Sequence, residues 1–375
     1  MHTDPTPDIA TPCRGLWREL SSGGLLAALG VALGLMAWAI VVGSGVMPAP
    51  STGSDGPPAD LTLYRAISER VADGESYYHA AVAEQAASGF PVAPAPTVRL
   101  PTLAWLNASL SSGVTYGVLL GLGSAVFFGA LLRFERVAPN RITWVAMMLL
   151  LALGMLQVAA PPSTYYAESW AFALITLSLL VGIERRPLAS WTLAGAALAF
   201  REHAGLAVVA IAIWLWVNGR RRLALAWLAM LALFAVMYMT LHAPHVAEAV
   251  AAQGLDPADA GPGGGWLDFG GWPRTVDYVR STTPLAALPY AAAAVIVPLA
   301  LVGWLLRRDR WASRTWAVLT AYCLAFMIVG RANNLYWGLL FAPLLLPGLA
   351  LVPSGVRACL APAGRRQVTG RRSAP

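Results

Sequence analysis

The chain has 375 residues, of which 57% are hydrophobic and only 12% charged, with a mean hydropathy of +0.60 and a formal net charge of +7. Soluble domains carry about 25% charged residues, so the composition excludes an ordinary water-soluble globule and points to lipid as the solvent. Every one of the 26 basic residues is arginine, and their placement, set out below, makes the basic pI a matter of membrane topology and anionic headgroups rather than of nucleic acid.

A bilayer core about 30 Å thick takes roughly 20 apolar residues per helix. Runs of that order recur at 24–42, 113–132, 142–160, 165–183, 188–200, 204–218, 223–241, 285–306, 314–330 and 335–352. The expected fold is therefore an all-α polytopic membrane protein of about ten transmembrane helices, forming a single transmembrane domain over 1–375. The first run is longer than a signal-peptide core and is read as a retained helix, although Met47-Pro-Ala-Pro-Ser51 follows it. With the N-terminus inside, 19 arginines fall in the two tails and in the turns 133–141, 184–186, 220–222 and 307–314, and 7 fall outside. The acids divide the other way, 6 inside and 13 outside. The positive-inside rule is met at every cytoplasmic turn, with the basic tail 353–375 also inside, which suits a bacterial inner membrane.

The cytoplasmic turns are too short to hold a catalytic domain. No Walker A loop, Gly-rich dinucleotide turn or zinc-spaced His/Cys cluster is present, which disfavours an ATPase, a nicotinamide enzyme or a zinc hydrolase. The cysteines Cys13, Cys323 and Cys359 fall in the tails and in a span, so no disulfide is expected. Two long outer segments, 43–112 and 242–284, mark the extracytoplasmic side as the working face. In the first, a Pro/Gly/Ser stretch leads to Asp60, after which Leu61, Tyr64, Ile67 and Val71 recur at helical spacing up to Gly74. This predicts an amphipathic surface helix with Asp60 at its N-cap. A second short helix is predicted from Glu75 to Ser88. Loop 254–272, rich in Gly with Trp266, Phe269 and Trp272, suits a mobile lid or an interfacial anchor.

Two spans are short. The runs 188–200 and 204–218 reach only about 20 and 22 Å at 1.5 Å per residue, so Arg201-Glu202-His203 between them should lie below the outer headgroups. Arg331, followed by Ala-Asn-Asn334-Leu-Tyr-Trp337, occupies a similar level. Charge at such depth lines a cavity or pairs with a partner: two guanidiniums at the outer end would hold a lipid phosphate, whereas the plainer reading pairs Arg201 with Glu202 and lets Arg331 snorkel. Asp60 is a candidate general base at the lip of the bundle or a simple cap. Asp73 and Glu75 bracket a glycine turn. Glu168 stands before the fourth span, and His79, His203, His242 and His245 are on the outer face without metal-ligand spacing.

This order of elements resembles the GT-C superfamily of polyprenyl-phosphate-sugar-dependent membrane glycosyltransferases, which includes protein mannosyltransferases and aminoarabinose transferases. The local match runs from Asp60, through Tyr64 and Ile67 on a helix ending in Asp-Gly, to Val98-Arg99-Leu-Pro-Thr-Leu-Ala-Trp105, and Arg201-Glu-His203 is similar to the family's basic residue on the outer face. The resemblance implies transfer of a sugar from a polyprenyl-phosphate donor to a lipid, glycan or protein acceptor outside the membrane. Asp60 would be the base; in place of the adjacent acid that many members carry, Asp60 is followed by Leu61, so the second acid is either Glu75 or absent. Arg201 and Arg331 would neutralise the departing phosphate, with His203, Glu168, Tyr64, Arg99, His79 and Asn334 lining the substrate site. No metal ligand is assigned, and a divalent metal is left open by the missing acidic pair. The competing readings are a secondary transporter or flippase, which should carry polar residues near the midplane, and a non-catalytic membrane subunit.

Overall fold

A computed structural model describes residues 22–43, 59–255, 267–307, 309–330 and 334–360. Among the described residues the chain is helical with no strand, and Leu267 and Val329 form one isolated bridge. A helix overlies each apolar run. These are α1 (Ser22–Gly43), α5 (Ser112–Val137), α6 (Arg141–Met155), α7 (Ala167–Val181), α8 (Pro187–Phe200), α9 (Ala204–Val217), α10 (Arg221–Met237), α13 (Tyr290–Leu305), α14 (Arg310–Phe326) and the short α15 (Ala342–Leu345). Between the apolar runs, in the segments read from sequence as outer, lie α2 (Ala59–Ala72), α3 (Tyr77–Ala87), α4 (Thr102–Ser109), α11 (Ala243–Ala252) and α12 (Gly271–Ser281); α16 (Val352–Leu360) closes the described chain. Three helices are long and apolar enough to cross a membrane: 23–43, 112–137 and 221–252.

The outward faces of these helices are apolar. Leu26, Val31, Phe128, Ile142, Leu149 and Val236 are all exposed, a surface that water would penalise and hydrocarbon accepts. At the centre stands α7, whose residues from Ala167 to Thr176 are all buried. A helix that is enclosed all round can take small polar residues only where they pair. Ser178 Oγ donates to Ser190 O at 2.7 Å and Ser190 Oγ to Ser178 O at 2.8 Å, which ties α7 to α8.

The last predicted span is not one α-helix. Residues 335–351 run as a 3₁₀ segment, the single turn α15 and a second 3₁₀ segment. Irregular backbone at this depth is tolerated because it is enclosed by protein, and Trp304 Nε1 serves two of its carbonyls, Leu344 O at 3.0 Å and Leu345 O at 3.2 Å. The segment also packs backbone to backbone on α13: a Cβ on Gly303 would run into the carbonyl oxygen of Gly348.

The second outer segment differs from its sequence reading. The long helix continues past His242 to Ala252 through a π-turn at Tyr238–His242, and α11 packs with α2 and α3 in a small apolar cluster of its own around Ile67, Val82, Val246 and Val250. Trp272, expected in a lid or anchor, is buried in α12, while Phe269 is exposed and holds a positive φ of 43°. Trp266 lies outside the described residues. The two surface helices of the first outer segment form within two residues of their expected bounds. Asp60, however, sits inside the first turn of α2 rather than at a cap.

The close crossing at Gly303 yields a direct test. Gly303→Ala should destabilise the protein in detergent by about 1–3 kcal/mol, the usual cost of overpacking, whereas Gly117→Ala, whose Cβ meets nothing within 4 Å, should leave it unchanged. Thermal unfolding of the two variants beside wild type checks this.

Candidate active site

Glu168 begins α7, and Arg201 ends α8, so a carboxylate occupies a helix N-terminus and a cation a helix C-terminus, each favoured by the local dipole. The chain leaves α8 at Arg201, turns through Glu202 and His203, and starts α9 at Ala204 with backbone bonds from Ala204 N to Arg201 O and from Gly205 N to Glu202 O, both 2.9 Å. Arg201 Nε lies 2.8 Å from Glu168 Oε1, and its Nη1 donates to Glu202 Oε1 at 2.7 Å. His203 Nδ1 is 3.0 Å from the same Glu202 oxygen. The plain pairing of Arg201 with Glu202 therefore exists, but it is half of the arrangement.

Arg99 supplies the other half. It sits on an irregular loop whose carbonyls are taken up by side chains. Tyr77 donates to Arg99 O at 2.6 Å, Gln85 Nε2 to Thr97 O at 3.2 Å, and His242 Nε2 stands 3.1 Å from Val98 O. With Nε2 donating, His242 Nδ1 accepts from the Tyr78 hydroxyl at 3.3 Å. So held, the Arg99 guanidinium is 3.5 Å from Glu168 and is covered by Tyr64 at 3.8 Å and Tyr336 at 5.2 Å from ring centroid. Nη1 and Nη2 of Arg99 are buried and make no hydrogen bond. Glu168 is fully buried and also lacks hydrogen bonds, so its contacts with the arginines are ion pairs without aligned donors. The space over Arg99 is about 30 Å³, room for a water.

Asp60 lies within electrostatic reach of Arg99, Glu168 and Arg201. Burial raises its pKa above the ordinary aspartate value; Glu168 adds to this, while Arg99 and Arg201 oppose it. For Glu202, burial also works upward, but Arg201 and His203 outweigh it and hold the carboxyl below the ordinary glutamate value. Burial and Arg201 lower the pKa of His203, against the opposing pull of Glu202 and Glu168. Burial disfavours charge on Arg99, yet Glu168 and its neighbours outweigh that and keep it firmly cationic.

Of the residues singled out from sequence, Asp60, Tyr64, Arg99, Glu168, Arg201 and His203 share this cluster. Glu75 and His79 do not. They lie past the far end of α2, about 20 Å of helix from Asp60, in a separate network: Arg70 holds Glu75 at 2.6 and 2.7 Å and Glu84 at 2.9 Å, and His79 Nδ1 is 2.6 Å from Glu75. The acid within electrostatic reach of Asp60 is Glu168. Arg331 lies outside the described residues. Asn334 is buried with its Nδ2 unbonded, and two aromatics soon after it do more: Tyr336 covers Arg99 and stacks on Tyr166 at 5.5 Å, and Trp337 lies 4.3 Å from His203 and 5.7 Å from Arg201. Neither was singled out from sequence, because nothing in an aromatic pair within an apolar run distinguishes a site wall from core. Among the described residues no three His, Cys, Asp or Glu side chains are grouped to hold a metal ion.

An apolar groove of about 590 Å³ opens beside the charges, between α4, α8 and α10. Trp105, Leu198, Met230 and Phe234 are among its walls, and Tyr78, Tyr238, His242 and His245 form its polar lip. It reaches Leu100, next to Arg99, and Ala199, two residues before Arg201. Comparison of the chain with protein-family models, with curated proteins and with solved structures returns no match.

Removing the buried acid should be costly. Glu168→Gln leaves two guanidiniums without their shared counter-charge and should lower stability by about 3–5 kcal/mol, while Glu75→Gln, in a part-exposed pair, should cost no more than about 1 kcal/mol. Thermal unfolding of the two purified variants makes the comparison.

Proposed function

We propose that the chain is a GT-C-type glycosyltransferase that moves a sugar from a polyprenyl-phosphate donor to an acceptor hydroxyl on the extracytoplasmic face, within a ten-span bundle whose termini are cytoplasmic. The observation that carries the reading is the junction of two buried arginines, Arg99 and Arg201, with an apolar groove that ends one and two residues away from them. A lipid phosphate has the same two halves, an anion and a long hydrocarbon. The cluster lies at the rim of the helices rather than at mid-span, which favours this reading over a transporter with a midplane site.

In this scheme the prenyl chain lies in the groove and its phosphate meets the unbonded donors of Arg99 and Arg201. Asp60 takes the proton of the acceptor hydroxyl as its oxygen attacks the anomeric carbon. The bond from that carbon to the phosphate oxygen breaks, and its electron pair leaves with the phosphate. Charge therefore grows on the phosphate, where fixed guanidiniums in a water-poor site stabilise the transition state more than the ground state. Glu168 supplies both arginines with a counter-charge while nothing is bound.

A raised Asp60 pKa has a signed consequence for the base. Asp60 works ionised, so kcat/KM should fall on the acid side with an apparent pKa above the ordinary value of about 3.9, and Asp60→Asn should abolish that limb while lowering transfer by at least about a hundredfold. Asn is nearly isosteric with Asp and removes only the ionisable carboxyl, so a fully active variant would return Asp60 to a structural role in the first turn of α2. Activity against a panel of polyprenyl-phosphate sugars, followed over pH, is the measurement.

The donor site is tested by binding. Arg201→Lys should already weaken polyprenyl phosphate, because an ammonium lacks the planar fork that grips two phosphate oxygens, and Arg201→Ala should weaken it further. Titration of the bare polyprenyl phosphate into purified protein in nanodiscs reports this. Equal affinity in well-folded wild type and Arg201→Ala would remove Arg201 from the site.

A further inference from the structure

The opposite end of the bundle gathers a second set of arginines that the transfer scheme does not use. Two interhelical turns and a helix start meet there: Gly182 to Arg186 between α7 and α8, Asn218 to Arg220 between α9 and α10, and Asp309 with Arg310 at the start of α14. The Trp214 indole is the floor. Arg314 lies over it at 4.9 Å and Arg310 at 5.7 Å from the ring centroid, so both guanidiniums face one ring. Trp214 itself is pinned by a 3.0 Å bond from Nε1 to Ser313 Oγ. Arg133 borders the group, donating to Leu180 O at 3.4 Å and lying 5.7 Å from the Trp311 ring.

Counter-charge is short. Glu184 Oε1 is already shared by Arg310 at 2.7 Å and Arg220 at 3.0 Å. Asp309 uses Oδ1 to cap α14, accepting from Trp311 N and Ala312 N at 3.0 Å each, and its buried Oδ2 makes no hydrogen bond, so two acids, Glu184 and Asp309, face the four arginines Arg133, Arg220, Arg310 and Arg314. Arg314 is 5% exposed, and its Nε and Nη1 are buried with no hydrogen-bond partner; Arg310 Nε is in the same condition. A guanidinium held out of water without its bonds filled is costly unless an anion completes it. Its five donors suit phosphate oxygens.

We propose that this arginine cluster is a phosphate site that takes the headgroup of an anionic phospholipid. The lipid source follows from the surroundings. Trp216 and Val217 are exposed just outside the cluster, Leu188 is exposed on the neighbouring helix, and Arg221 lies 5.6 Å from the Trp216 ring. Tryptophan beside arginine at the end of apolar helices is the pattern of a headgroup layer, where a phosphodiester meets cations and its acyl chains meet apolar side chains. Glu184 competes with the ligand, since it neutralises Arg220 and Arg310 when the site is empty.

The test uses the full chain in mild detergent, with lipid retention read by native mass spectrometry and by thermal unfolding. Phosphatidylglycerol should bind and raise the melting temperature, and phosphatidylcholine should do neither. Arg314→Gln should weaken phosphatidylglycerol at least about tenfold, in line with the loss of charge-assisted bonds, while Arg136→Gln on the exposed end of α5 should not. Glu184→Gln should tighten it severalfold, an outcome that a purely structural acid would not produce and that does not depend on the Arg314 variant folding. Equal binding of phosphatidylglycerol and phosphatidylcholine, or equal affinity in wild type and Arg314→Gln, overturns the site. Displacement of phosphatidylglycerol by millimolar inorganic phosphate would make free phosphate the occupant and overturn the lipid assignment.

Discussion

The carboxylate of Glu168 is the constraint on which one end of the bundle depends. It is fully buried at the start of the most enclosed helix, and it faces Arg201 at 2.8 Å and Arg99 at 3.5 Å. Both guanidiniums would be left buried beside each other without that carboxylate, and a buried cation stripped of its partner is far costlier than a paired one. The pairing in turn fixes where α8 must end and where the loop before α4 must run. The loop is then secured by Tyr77, Gln85 and His242 through its carbonyls, so the surface helices and the π-turn are built around the placement of one guanidinium.

The result is a site with an unusual division of labour. Its electrostatics are internally compensated but its hydrogen bonds are not: Arg99, Arg201 and Glu168 all retain buried polar atoms without an aligned partner. Polar clusters selected for stability alone tend to fill such bonds, because an unfilled buried donor costs about 1–3 kcal/mol. The apolar groove alongside supplies the complementary surface, and the aromatic lip at Tyr78, Tyr238 and His242 separates the two environments. A π-turn at Tyr238–His242 re-aims these side chains within an otherwise regular helix, a device frequent at functional sites. The arginine cluster at the other end follows the same physics with a different outcome, since there the cations outnumber the acids.

Several residues of the cluster carried a signal in the sequence. Arg201, Glu202 and His203 stood out because two short spans put charge at depth, Glu168 because it precedes an apolar run, Asp60 because it opens an amphipathic helix, and Arg99 through the family resemblance; the structure brings them together. Sequence reasoning failed where the signal was only proximity along the chain. Glu75 follows soon after Asp60 in sequence, but a straight helix separates them by its whole length. It also missed Tyr336, Trp337 and the burial of Trp272, because aromatics in apolar stretches carry no mark of which wall they will form, and it read one loop where α11 and α12 are helical.

What the sequence determined by itself is the solvent and the register. Apolar runs of membrane length, the lack of charge within them and the concentration of arginine in alternate turns follow from the cost of placing polar groups in hydrocarbon, which is paid residue by residue and so is legible one residue at a time. What only the tertiary structure decided is which charges meet. Glu168 and Arg201 are 33 positions apart and Arg99 lies 69 before Glu168, and the attraction between them acts over a few ångströms of folded space. Only the packing of α7 against α8, with the Arg99 loop laid across their ends, turns three separate residues into one site.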